Sequence, residues 1–174
     1  MPKTAFRTLG LNPGTNCLGF AFLREADLGD WGVKVVKGKW SASKKRKVLS
    51  LVDGFLQRFE PDVLALKHLH PSRSSAPLNA LVREIKAKAR ARQIGVREYS
   101  IDAMEQFFCS GTRTNKKELA QAVARDYPVL YRELEKEKVN RHPYHIAAFE
   151  AAALGALCFY QVEVNHKKRK GVFC

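Results

Sequence analysis

The sequence predicts an α/β fold, a mixed five-stranded sheet with helices on both faces, and three observations lead there. Apolar, β-rich runs at residues 8–11 and 17–23 flank a short polar turn and form the pattern of an antiparallel hairpin. A third run of β-branched residues interleaved with lysines follows at 31–40. From there, strand-length apolar runs alternate with helical periodicities, the pattern of strand–helix–strand units whose parallel strands extend the hairpin into one sheet. At 174 residues and 45% hydrophobic content the chain can bury one ordinary core, and it shows no internal repeat or low-complexity linker. One domain is expected over 1–164, with a basic C-terminal tail over 165–174.

The hairpin comes first. Its turn, Pro13-Gly14-Thr15-Asn16, supplies a fixed φ followed by a residue free to take positive φ, and it holds Asn12 at a strand end. Taken alone, Asn12 is equally well a turn residue bonding local backbone. The 31–40 run has one wet face and is expected at a sheet edge. Ser41 to Ser43 can cap a helix whose apolar positions Val48, Leu49, Val52, Leu56 and Phe59 recur at three and four. Its first turn carries Lys44, Lys45, Arg46 and Lys47, where the helix dipole favours anions, a mismatch of about 0.3 to 1 kcal/mol per exposed charge. Two readings stand: a solvated, frayed end or a phosphate-binding corner.

Residues 62–66, DVLAL, form a nearly continuous apolar run, as expected of a central strand covered on both faces. Lys67, His68 and His70 lie at its exit. A His-x-His pair can ligate metal, but no third ligand lies near it in sequence, so surface or phosphate-contacting histidines are the first reading. The loop 71–77 carries Arg73. A helix over 78–92 follows, apolar at Leu78, Leu81, Val82, Ile85 and Ala89, with Arg83, Lys86, Lys88, Arg90 and Arg92 on its other faces. Such a face is either merely solvated or disposed to track a phosphate backbone. Residues 96–99 return as a fifth strand, and Ser100 caps a helix to about Cys109.

The polar turn at 110–117 leads into a helix whose Asn115 and Glu118 make a capping box. Its neighbours Arg113, Thr114, Lys116 and Lys117 suit phosphate contact. That helix packs through Leu119, Ala120 and Val123 and closes at Tyr127-Pro128. A charged helix over 132–138 is broken at 141–143, and an Ala-rich helix over 144–162 is apolar enough to be largely buried. Glu150 stands out on it.

Charge and cysteine usage bound the function class. Thirty-one Lys plus Arg against 17 Asp plus Glu give a formal charge of +14, and the pI is about 9.9, which points to a polyanionic partner. No run approaches a membrane span and no long apolar stretch follows the N-terminal charges, so a soluble, cytoplasmic protein without a membrane partner is expected. Cys17, Cys109, Cys158 and Cys174 show no CxxC pair or zinc spacing and are expected as buried, reduced thiols.

The strand–bend–strand at 9–23 resembles the first motif of the RuvC-type Holliday junction resolvases, a branch of the RNase H-like nucleases. In that motif an apolar strand ends in Gly-(Ile/Val)-Asp-Pro-Gly-Thr and is followed by apolar-Gly-apolar-Ala. Gly10, Leu11, Pro13, Gly14, Thr15, Gly19, Phe20 and Ala21 match it, and Asn12 stands at the first metal-binding Asp. Lys67 stands at the second catalytic carboxylate, the Glu that ends a Pro-Asp-x-x-Ala-apolar strand. Phe149-Glu150-Ala151-Ala152-Ala153-Leu154 resembles the last motif, with Glu for Asp. The resemblance covers residues 8–162 and implies an RNase H-like topology, DNA as partner, a four-way junction among its targets, a role in recombination or repair, and a homodimer. It also places the Thr-Lys-rich loop beside the site.

Active members of that family hold two divalent ions, Mg2+ or Mn2+, roughly 3.5 to 4 Å apart across the scissile phosphate. Asn12 offers a neutral oxygen, Glu150 keeps its charge as a weak metal ligand, and Lys67 brings a cation. At about 4 Å and an effective dielectric near 20, exchanging carboxylate for ammonium turns about 8 kcal/mol of attraction to a divalent ion into about 8 of repulsion. No cofactor is therefore expected for the chain as written. The expectation is a pseudonuclease that recognises branched or duplex DNA through Arg73, Arg83, Lys86, Arg90, Arg113, Thr114, Lys116 and Lys117. The alternative is a metal-dependent junction endonuclease, either inactivated or rebuilt around Glu150, His68 or His70. A basic RNA-binding module is a weaker third reading, because it leaves the hairpin and helix motifs unexplained.

Overall fold

The hairpin strand β1 (Arg7–Pro13) is the middle of the sheet, and every other layer is arranged around it. The structure is a computed structural model and describes residues 4–110, 114–139 and 145–169. β2 (Cys17–Arg24) pairs antiparallel with β1, and β3 (Asp27–Val35) pairs antiparallel with β2. On the other side β4 (Val63–Lys67) and β5 (Gly95–Tyr99) add in parallel, giving the order β3-β2-β1-β4-β5. It is the mixed five-stranded α/β sheet that the sequence predicts.

Two cores form because successive side chains of each strand point to opposite faces. On one face Leu9, Leu11, Phe20, Phe22, Leu64 and Leu66 meet α1 (Ala42–Phe59) and α2 (Ala76–Ala91). Phe20 stacks on Phe55 at 4.3 Å and Phe22 on Phe59 at 4.5 Å, so the predicted stripe of α1 seats directly on the hairpin. Each such pair is worth roughly 0.5 to 1.5 kcal/mol beyond its buried area. The opposite face carries α3 (Ile101–Cys109), α4 (Lys116–Asp126), α5 (Tyr131–Val139) and α6 (Ile146–Arg169). Ser41, Ser75 and Ser100 cap α1, α2 and α3, and Asn115 with Glu118 closes the predicted capping box on α4.

The contact that positions the site is between α6 and β1–β2. A Cβ at Gly10 would collide with the carbonyl of Ala151, one at Gly19 with the carbonyl of Ala147, and one at Gly155 with Leu23. Three glycines therefore let the helix backbone lie directly on the strands. This sets α6 low enough for Glu150, which is 2% exposed, to reach the sheet.

Several expectations change in the structure. Gly14 does not take positive φ; Gly38 does, among the described glycines. Gly14 is instead favoured by a tight approach, since its N–H donates to the Cys17 carbonyl at 2.9 Å and a Cβ would stand 3.2 Å from that oxygen. The third strand runs over Asp27–Val35 rather than 31–40, because its pairing with β2 begins at Arg24–Asp27. It does occupy an edge. β4 is an inner strand, not the central one, which is β1. α6 continues to Arg169, through half of the expected tail, and His166, Lys167, Lys168 and Arg169 fall in its last turn, where cations favour a helix. By length and composition alone α6 is also apolar enough to cross a membrane, contrary to the expectation that no run would be, but two thirds of that apolar window is buried inside the protein. Arg113, the break at 141–143 and Cys174 lie outside the described residues.

Candidate functional site

Asn12 and Lys67 are brought side by side by parallel pairing. Leu11 of β1 sits level with Leu66 of β4, so the next residue on each strand is Asn12 and Lys67. Leu11 and Leu66 point into the α1–α2 core, and the alternation of a strand turns Asn12 and Lys67 toward α6. Glu150 descends from α6 to meet them.

The three side chains converge on a single oxygen. Asn12 Nδ2 donates to Glu150 Oε2 at 2.6 Å, and Lys67 Nζ donates to the same oxygen at 3.1 Å, an ion pair. The Glu150 side chain is 3% exposed and that of Lys67 is 23% exposed. The carboxylate is thus sealed while the Lys67 side chain keeps part of its surface toward solvent. Glu150 Oε1 is buried and has no hydrogen-bond partner among the described residues.

Cys17, at the start of β2 beyond the bend, belongs to the same neighbourhood. Burial pushes its thiol pKa up, and the negative charge of Glu150 pushes it further in the same direction. Residue type and spacing alone predict an ordinary buried, reduced thiol at Cys17; its place one residue after the turn is the signal in the sequence for a position beside the cluster.

A further lysine locks the bend. Lys44, 4% exposed, sends its Nζ to Asn16 Oδ1 at 3.1 Å and to the Gly38 carbonyl at 2.7 Å. It is neither frayed nor solvated, contrary to one reading of the α1 first turn. Its ammonium satisfies two acceptors of the loops flanking β2 and β3 and fixes the bend that carries Asn12.

The donor set does not fit a pair of divalent ions. Hard cations need several anionic oxygens. The cluster holds one carboxylate, whose Oε2 already accepts from an amide and an ammonium, and Lys67 places positive charge where a second carboxylate would have to stand. Among the described residues no group of three or more His, Cys, Asp or Glu is arranged to hold a metal. His68 and His70 are exposed: the backbone N–H of His68 donates to the Tyr99 carbonyl at 2.8 Å, and the His70 ring lies with its Nδ1 2.8 Å from Ser72 Oγ.

The expected phosphate contacts divide into two groups. Lys86 is paired with Glu98 at 2.6 Å, and Lys88 and Arg92 are paired with Asp53 at 2.7 and 3.4 Å. Much of the α2 stripe is therefore neutralised within the protein. Arg73, Arg83 and Arg90 are exposed, as are Lys116 and Lys117 at the α4 N-terminus. Thr114 Oγ1 is buried without a hydrogen-bond partner among the described residues. Among the described residues, none of these forms a hydrogen bond or ion pair with Asn12, Lys67 or Glu150.

No family model and no curated protein matches the chain. Solved structures do. The chain is similar to Thermus thermophilus RuvC, with TM-score 0.72 at 18% identity over 91% of this chain and 97% of that one. T. thermophilus RuvC in complex with Holliday junction substrate gives TM-score 0.68 at 19% identity over 91% and 96%. The yeast mitochondrial Holliday junction resolvase Ydc2 gives 0.70 at 12% identity over 95% and 82%. The fold is RuvC-like.

Proposed function

We propose that this RuvC-like chain binds branched or duplex DNA across the end of its sheet and does not hydrolyse it. The Lys67–Glu150 ion pair carries this reading. In a nuclease of this kind the carboxylates repel a phosphodiester until divalent ions neutralise them. Here the ammonium of Lys67 neutralises Glu150 internally, so the site presents no net negative charge to a phosphate. The partly exposed face of Lys67 can itself meet a phosphate oxygen. DNA binding then requires no metal, and the one carboxylate of the cluster is buried and paired with Lys67, so it is poorly placed to activate water.

The charge of +14 and the likeness to a RuvC solved with Holliday junction substrate support DNA as the partner. A homodimer, which would give a four-way junction two symmetric contact surfaces, belongs to the same proposal. An active junction endonuclease rebuilt around His68 or His70 has less support, because both residues are exposed and, among the described residues, neither is hydrogen-bonded or ion-paired to Glu150.

The test is binding and cleavage of four-way junction, duplex and single-stranded DNA, with magnesium or manganese and with chelator at matched ionic strength. Binding is expected equally with and without metal, without cleavage. If about five phosphates are neutralised, the log–log salt slope on duplex should be near −4 to −5. A flat salt dependence would refute DNA binding, and binding that needs metal would refute the internal neutralisation by Lys67.

A further inference from the structure

We infer that the corner made by the end of β3, the segment leading to α1 and the first two turns of α1 carries a DNA arm away from the sheet end, an inference that rests on the DNA-binding reading above. Residues 31–52 contain seven Lys or Arg and no Asp or Glu. The structure separates these cations by task. Lys44 is the internal strut to Asn16 and Gly38, and Lys45 pairs with Glu84 at 2.6 Å. Lys34, Lys37, Lys39, Arg46 and Lys47 remain exposed, and among the described residues none of them has an ion-pair partner. The corner thus holds five exposed cations without an ion-pair partner among the described residues, where much of the α2 stripe is paired.

Its position follows from the register. Val35 pairs with Cys17, so the end of β3 lies level with the bend that holds Asn12, and Lys44 ties the next loop to that bend. A backbone crossing Lys67 meets the corner on leaving the sheet. The N-terminus of α1 adds its dipole, with no acidic residue in the first turn to oppose an anion. Lys37 and Lys47 line an open cavity of about 700 Å3 with Val35, Leu51 and Phe55. Gly54, in the middle of α1, opens onto space free of atoms within 4 Å of where a Cβ would be. An apolar floor between cations suits a sugar–phosphate backbone, with deoxyribose against the floor and phosphates on the rim.

The experiment measures salt-dependent affinity of the full chain for a four-way junction and a duplex. Wild type is compared with Lys37→Ala/Arg46→Ala/Lys47→Ala and with Lys88→Ala as a paired-cation control, fold being checked by circular dichroism. Loss of three phosphate contacts should reduce the magnitude of the slope by about 2.7 and weaken binding at least tenfold at low salt. Lys88→Ala should change the slope by less than one unit. A triple variant that keeps the wild-type slope while wild type binds DNA would overturn the assignment of the corner. Absence of DNA binding by wild type itself would overturn the reading on which it rests.

Discussion

Replacing Lys67 by Met keeps the aliphatic stem and removes the charge that faces Glu150. At 3.1 Å and an effective dielectric near 20 the gross attraction in the pair is about 5 kcal/mol, opposed by the cost of drying both ions. Breaking a fully buried pair costs about 3 to 5 kcal/mol, because the survivor is left uncompensated. Lys67 is about a quarter exposed and the Asn12 amide still holds Oε2, so the loss should be nearer 2 to 3 kcal/mol. For a chain of this size that is a fall in Tm of roughly 5 to 10 °C. Glu150→Gln in the same background removes the stranded charge and should recover at least half of the loss. The assay is thermal and urea unfolding of wild type, both single variants and the double variant, closed as a double-mutant cycle. A Lys67→Met variant within about 0.5 kcal/mol of wild type, with no coupling to Glu150→Gln, would refute the claim that this pair neutralises the site.

Three further outcomes follow from the same geometry. Gly19→Ala should destabilise by about 1 to 3 kcal/mol or more in chemical denaturation, because its Cβ meets the Ala147 backbone, whereas Gly54→Ala, opening on empty space, should stabilise by up to about 1. Cys17 should be alkylated only at higher pH than a free thiol, and Glu150→Gln should lower that midpoint without abolishing the shift, since burial is the first cause and the carboxylate the second; a midpoint at the free-thiol value would contradict the described burial. Burial, aided by Asp126 and Asp27, pushes the Tyr127 phenol up to about 12. Because the folded state holds this proton longer, its contribution to stability should fall as pH rises from about 10 to 12, and ultraviolet titration with Tyr127→Phe as reference should show the late ionisation.

The hairpin and the helix caps were legible because they depend on local chemistry and on spacing, whereas the meeting of two strand ends with the Ala-rich helix was implied by the resemblance alone. Gly10 and Gly19 could be matched to a motif from sequence, but their reason is tertiary: each makes room for one carbonyl of α6. Lys44 was not legible. A lysine in a run of four cations looks solvated, and only the folded chain brings the Asn16 and Gly38 oxygens to its Nζ. The α2 stripe misled for the opposite reason, since Asp53 and Glu98, which neutralise much of it, lie on other elements. Lys67 was readable as a departure from a carboxylate pattern, but its pairing with Glu150 depends on the β1–β4 register and on the path of α6, which spacing along the chain does not give.

The most direct test is one measurement on two proteins: manganese-dependent nicking of a four-way junction, with calorimetry for the ion, by wild type and by Asn12→Asp/Lys67→Glu. Wild type should bind the junction, leave it intact and show no tight manganese site, while the double variant, with three carboxylates at one place, should gain measurable manganese affinity and some nicking. Metal-dependent cleavage by the unmodified chain would contradict the account.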